Sequence, residues 1–94
     1  MKVLEIDGAR IPALGFGTWR LRGRLCQEMV HFALEIGYRH IDTAAMYGNE
    51  EEVGHGIADS DVDRTDIFLT TKVGPNHLKP EALRHSAEES VRRL

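Results

Sequence analysis

Two short apolar runs open the chain, "KVLEI" and "RIPAL", and between them stands "DG", a dipeptide whose residues tolerate the left-handed backbone of a tight turn. This pattern predicts a β-hairpin. From Leu25 onward the apolar positions Leu25, Met29, Ala33 and Ile36 recur at helical spacing, and Gly37 follows as the left-handed residue that commonly ends a helix. "RHID" then reads as a brief strand. Asn49 stands where it caps a second helix, and Glu50, Glu51 and Glu52 fill that helix's first turn, where negative charge meets the positive end of the helix dipole. The glutamate run is therefore read as structural. "DIFLTTK" is apolar and β-branched enough for a buried strand, and Pro80 supplies the fixed φ that suits the start of a third helix. Leu83, Ala87, Val91 and Leu94 form the stripe this helix is expected to bury.

With "LGFGT" as a further short strand, the order becomes hairpin followed by three strand-helix pairs, with no internal repeat and no low-complexity linker. Alternation of this kind implies parallel strands joined by helical crossovers. A doubly wound open sheet and a (β/α)₈ barrel both accept the pattern. The dinucleotide fingerprint of the first would need a third glycine after Gly15 and Gly17, and Arg20 stands at that position.

Composition narrows the class of partner. A chain of 94 residues makes one unit, burying about 60–65% of the surface its unfolded form exposes. Twelve basic and fifteen acidic residues leave a net charge of −3, and no basic block is present to follow a phosphate backbone. Nucleic acid is not an expected partner. Cys26 is the single cysteine, which forbids an intrachain disulfide, suits a reducing cytoplasm and leaves open a surface thiol. "MKVLEIDGAR" reaches Glu5 and Asp7 before any apolar signal region develops, and no later run is long enough for a bilayer. A soluble cytoplasmic protein without a membrane partner is expected.

Candidate chemistry gathers at the C-terminal ends of the three parallel strands, where Gly17-Thr18-Trp19, Asp42 and Lys72 fall; in barrels that end is the active face. Strand alternation puts His40 and Asp42 on one side and Ile41 on the other, and Phe68, Thr70 and Lys72 on one side of the last strand. Tyr47 follows Asp42 closely enough for its loop to return the phenol over the rim. A phenol titrates at about 10 in water, and a neighbouring ammonium favours the phenolate. Lys72 is the candidate ammonium, and Asp42 the carboxylate that keeps it charged and oriented. In a water-poor cavity, such a set could protonate a carbonyl oxygen as hydride from a reduced nicotinamide reaches the carbon.

Each residue also has an ordinary reading: Asp42 as a strand-end hydrogen-bond acceptor, Tyr47 and Trp19 as packing aromatics, Thr18 as a turn residue, Lys72 as a solvated charge. Only their joint placement distinguishes them. His31, His77 and His85 are left as surface or core-edge histidines. His40 and Asp42 point the same way from one strand, but two ligands are too few for a zinc site, and no metal is expected. A Schiff-base role for Lys72 is disfavoured because a lysine held charged is a poor nucleophile.

"IPALGFGTW", "ALEIGYRHIDTAAMYGNEEEVG" and "DIFLTTKV", in this order, resemble the N-terminal third of the aldo-keto reductase superfamily, and within it the bacterial diketogluconate and methylglyoxal reductases. The resemblance implies a (β/α)₈ TIM-type barrel closed below by the hairpin, NADPH in an extended pose and no metal. It implies catalytic roles for Asp42, Tyr47 and Lys72, with Tyr47 as proton donor. Gly17, Thr18, Trp19 and Asp42 fall on the cofactor side, and Trp19, Met46 and Tyr47 on the side of an aldehyde, ketone or dicarbonyl substrate. A barrel of this type takes about 250 residues, so residues 1–94 are expected to be a partial domain: a hairpin over 1–13 and the first three βα units over 14–94. The family's catalytic histidine on the fourth strand has no counterpart here. The resemblance therefore also admits an inactive truncated fragment, an assembly segment, or a nicotinamide-binding sensor like the family's potassium-channel-associated members. The isolated piece is expected to self-associate or fold poorly, because its strands are covered on too few sides.

Overall fold

Asp7 and Gly8 both take positive φ, 48° and 84°, as a two-residue hairpin turn requires. They join β1 (Val3–Ile6) to β2 (Ala9–Pro12) as an antiparallel pair in which Val3 faces Pro12 and Ile6 faces Ala9. The computed structural model describes residues 2–94, so Met1, within the expected hairpin range, lies outside the described residues.

After the hairpin come β3 (Phe16–Gly17), α1 (Gly23–Glu35), β4 (His40–Asp42), α2 (Glu50–Asp59), β5 (Phe68–Thr70) and α3 (Pro80–Arg93). Single 3₁₀ turns, Ala45–Tyr47 and Arg64–Asp66, precede α2 and β5. The three later strands form one parallel sheet in the order β3-β4-β5, with Gly17 beside Asp42 and Asp42 beside Thr70. A doubly wound sheet reverses its strand order at the switch point. No reversal occurs across these three strands. The ladders are shorter than the apolar runs that predicted them, so Thr18, Thr71 and Lys72 extend past the paired residues.

The core lies between the sheet and the helices and consists of Cys26, Val30, Leu34, Ile41, Val53, Ile57 and Ile67. Helix α1 ends where Gly37 adopts φ 117°, as its glycine predicts. The buried line of α1 is rotated from the expected stripe, however. Cys26, Val30, Ala33 and Leu34 are buried, whereas Leu25 and Ile36 are 58% and 61% exposed. Adjacent helical positions differ by 100° around the axis, so a Leu25-Cys26 pair satisfies either register, and packing against α2 selects the cysteine. Cys26 is accordingly no surface thiol: burial first, then the charge of Glu52, raises its pKa to about 11.

Close approach of the two helices depends on Gly56. A Cβ there would lie 2.7 Å from the Gln27 carbonyl oxygen and 2.8 Å from Val30 Cβ. The third helix departs further from expectation. Pro80 begins it as predicted, but Ser86 and Ser90 are the residues it buries, while Leu83 and Val91 are 41% and 77% exposed. The side it turns inward is polar because it supplies donors to a buried carboxylate on α2. No helix among the described residues is long and apolar enough to cross a membrane.

Candidate active site

Backbone pairing brings the strand ends to one rim. The Thr18 amide donates to the Asp42 carbonyl at 3.0 Å, the Thr43 amide to the Thr70 carbonyl at 2.8 Å, and the Ala45 amide to the Lys72 carbonyl at 3.1 Å. The chain then turns through Ala45–Tyr47, and Gly48, at φ 68°, closes that turn before α2. These bonds fix where the side chains start.

Lys72 is the hub of the resulting cluster. Its Nζ donates to Asp42 Oδ1, to the Thr43 carbonyl at 3.1 Å and to the Tyr47 hydroxyl at 3.5 Å. The pKa of Lys72 is raised, chiefly by the hydrogen bond to Asp42; partial burial opposes this, and the Tyr47 oxygen adds to it. The lysine therefore stays charged across the neutral range. Asp42, Tyr47 and Lys72, separated by up to 30 residues, thus meet as the strand pattern anticipates. The setting differs from the water-poor cavity expected: the side chains of Lys72 and Asp42 are 48% and 41% exposed. Three strands present this rim as an open face.

Trp19 follows the end of β3 and is 64% exposed, with the Arg20 guanidinium 4.5 Å from its ring centroid. Arg20 holds a left-handed backbone, φ 68°. Gly17, on the outer strand β3, has nothing within 4 Å of where a Cβ would sit among the described residues. Met46 is exposed and borders a cleft of about 360 Å³ with Ala45, Gly74, Pro75, Asn76 and His77. Asp42, Tyr47 and Lys72 do not line that cleft.

His40 is engaged within the fold. Its Nδ1 lies 3.2 Å from the Pro12 carbonyl, which can only accept, so Nδ1 donates, and Nε2 pairs with the Thr70 hydroxyl at 2.9 Å. The ring also meets Phe68 edge to face, with centroids 5.1 Å apart. Among the described residues no group of three or more His, Cys, Asp or Glu side chains is arranged to hold a metal ion.

Two buried side chains at the start of α2 organise the rim, and the sequence pattern assigns them otherwise. Asn49 occupies the cap position yet makes no side-chain cap bond. Its Nδ2 instead donates to the carbonyls of Thr18 at 2.8 Å and Leu21 at 2.9 Å, while Oδ1 accepts from the Thr43 hydroxyl at 3.1 Å. Asn49 thereby ties the Trp19 loop to the segment that follows Asp42. Glu50 is buried rather than solvated at the dipole end, and it accepts hydrogen bonds from Thr71, Ser90 and Arg93. One signal for it was present: Glu50, Val53, Gly54 and Ile57 follow helical spacing, which places the glutamate on the face that packs inward.

The Aldo/keto reductase family model matches residues 13–94. An aldehyde reductase of Saccharomyces cerevisiae is 52% identical over 88 residues, which are 93% of this chain and 27% of that protein. The glycerol 2-dehydrogenase (NADP+) of the same yeast is 45% identical over 95 residues, 99% of this chain and 30% of that protein. A methylglyoxal reductase of Salmonella typhi is 44% identical over 84 residues, 89% of this chain and 32% of that protein. Among solved structures, an aldo/keto reductase of Brucella melitensis superposes with a TM-score of 0.93 at 40% identity, over 98% of this chain and 36% of that one. The chain thus spans about a third or less of the length of these relatives, and its three consecutive βα units correspond to an N-terminal piece of their (β/α)₈ fold. With the family model matched over all but the hairpin, the chain belongs to the aldo/keto reductase family.

Proposed function

We propose that residues 1–94 are the N-terminal part, hairpin and first three βα units, of an NADPH-dependent reductase that converts small aldehydes, ketones or dicarbonyls to alcohols. The observation that carries this reading is the position of Lys72 Nζ, bonded to Asp42 Oδ1 and within 3.5 Å of the Tyr47 hydroxyl. The donor set fits a nicotinamide beside a carbonyl substrate. When bound, the reduced cofactor supplies the hydride.

The chain's own residues supply the proton and the electrostatics. Tyr47 donates its phenolic proton to the carbonyl oxygen as negative charge develops there, which is general-acid catalysis. The phenolate left behind faces the Lys72 ammonium, already in place and needing no reorganisation. Asp42 keeps that ammonium charged and aimed. Gly17, Thr18, Trp19 and Asp42 form the cofactor side of the rim in this reading, and Trp19 and Met46 offer apolar surface to the substrate. The NADP+ named for the yeast glycerol 2-dehydrogenase supports the choice of cofactor. The single cysteine is consistent with a cytoplasmic setting.

Because the chain covers so little of its relatives' length, the 94 residues alone are proposed to be inactive. The test is aldehyde-dependent NADPH oxidation by the full-length protein and by its Tyr47→Phe variant. Loss of turnover with cofactor binding retained supports the reading, and turnover retained in Tyr47→Phe rejects it.

A further inference from the structure

Glu50 is the one charged residue fully buried among the described residues, with a side chain 1% exposed. A carboxylate taken out of water costs several kcal/mol unless it is paired and hydrogen-bonded. Its two oxygens are used unequally. Oε1 accepts from Arg93 Nε at 3.0 Å, Arg93 Nη2 at 2.8 Å and Ser90 Oγ at 3.0 Å, all from α3. Oε2 accepts from the Thr71 hydroxyl alone, at 2.6 Å.

The α3 donors neutralise the charge. Thr71 supplies the one donor to Oε2, so its bond completes the pairing of the buried carboxylate and also ties that carboxylate to the chain beside the rim. That tie is local: Thr71 lies just past Thr70, the last residue of β5, and immediately precedes Lys72. Strand alternation sends the Thr71 side chain to the helix side and the Lys72 side chain to the rim. The segment is thus gripped from both faces, by Glu50 through Thr71 on one and by Asp42, Tyr47 and the Ala45 amide on the other.

We infer that Glu50, clamped by Arg93 and Ser90, is a positioning residue that acts through Thr71 to fix the backbone from which Lys72 reaches Asp42 and Tyr47. The inference rests on the roles proposed for Lys72 and Tyr47. Lysine reaches its partners on a flexible four-carbon stem, so the position of its backbone decides how often the ammonium sits between carboxylate and phenol.

Thr71→Val in the full-length protein tests this, because it deletes the hydroxyl, keeps the β-branched shape and leaves Arg93 and Ser90 on Glu50. Loss of the one donor to Oε2 also weakens the fold, so kcat is read under conditions where denaturant unfolding shows each variant folded. The expected result is a fall in kcat for a small aldehyde of about tenfold, with KM for the aldehyde and Kd for NADPH within about twofold of the parent. Thr71→Ser, which restores the hydroxyl, recovers most of the lost kcat. Unchanged kcat in Thr71→Val, or a serine variant no better than the valine one, overturns the inference. Tyr47→Phe assayed in parallel separates the two levels. If it is inactive while Thr71→Val is unaffected, only the positioning role of Glu50 falls; if it keeps turnover, the proposed function falls and takes this inference with it.

Discussion

The side-chain amide of Asn49 donates to the Thr18 carbonyl at 2.8 Å, across 31 residues of sequence, with both residues almost wholly buried. Three partners bond that amide: the carbonyls of Thr18 and Leu21 and the hydroxyl of Thr43. Asn49→Ala removes the buried partner of the Thr43 hydroxyl and the part-buried partner of the Leu21 carbonyl, while the Thr18 carbonyl keeps the Leu21 amide at 3.1 Å, at a cost of about 1–3 kcal/mol. Asn49→Asp is expected to be at least as harmful, since a carboxylate would face two carbonyl oxygens. Denaturant unfolding of the full-length protein measures the loss, and Trp19 fluorescence reports whether its loop has been released.

Asp42 is the largest cause of the raised pKa of Lys72. Asp42→Asn is therefore expected to lower turnover and to bring the alkaline loss of activity to a lower pH, because the ammonium gives up its proton sooner. For stability the sign follows from linkage. A lysine whose pKa is higher folded than unfolded contributes stability that is fully present below its ordinary value of 10.5 and is lost as pH rises through the folded value. Both side chains are more than a third exposed, so that contribution is below about 1 kcal/mol after solvent screening. Rate-pH profiles and unfolding at neutral and alkaline pH check both statements.

Gly56→Ala sets two effects against each other. Alanine favours the helix by about 0.5–1 kcal/mol, but its Cβ would meet the Gln27 carbonyl at 2.7 Å and Val30 Cβ at 2.8 Å. Neither neighbour can yield without moving α1, and overpacking of this kind costs about 1–3 kcal/mol. Net destabilisation is expected, read as a lowered melting temperature.

The isolated 94-residue chain carries a three-stranded parallel sheet whose outer strands, β3 and β5, each have one unpaired edge among the described residues. Trp19, Phe32, Met46 and Val91 are all more than half exposed. Self-association, visible by sedimentation, and no measurable NADPH binding are the expected results for this piece alone. A monomer with a sharp cooperative unfolding transition would contradict the first.

The features legible in the sequence were those fixed by neighbours in the chain. Asp7-Gly8 specifies its turn locally, Gly37 ends its helix, and period-two alternation around Ile41 predicts that His40 and Asp42 share a face. The meeting of Asp42, Tyr47 and Lys72 was legible because three strand ends at one rim leave few other arrangements. What was not legible depends on partners far along the chain. Whether Leu25 or Cys26 faces inward is decided by α2, and the serine face of α3 makes sense only once Glu50 is seen to bond Arg93, 43 residues away. Asn49 reads as a cap in isolation, and only the folded position of Thr18 and Leu21 turns its amide elsewhere.

Tyr47→Phe in the full-length protein tests the central claim most directly, since one hydroxyl is removed from a ring that still packs. NADPH binding, followed by cofactor fluorescence, is expected to stay near the parent value. Turnover of a reactive aldehyde is expected to fall by about a hundred- to ten-thousand-fold, the loss typical of a general acid. Turnover close to that of the parent would mean that the phenol beside Lys72 is not the proton donor, and the catalytic reading of this rim would be wrong.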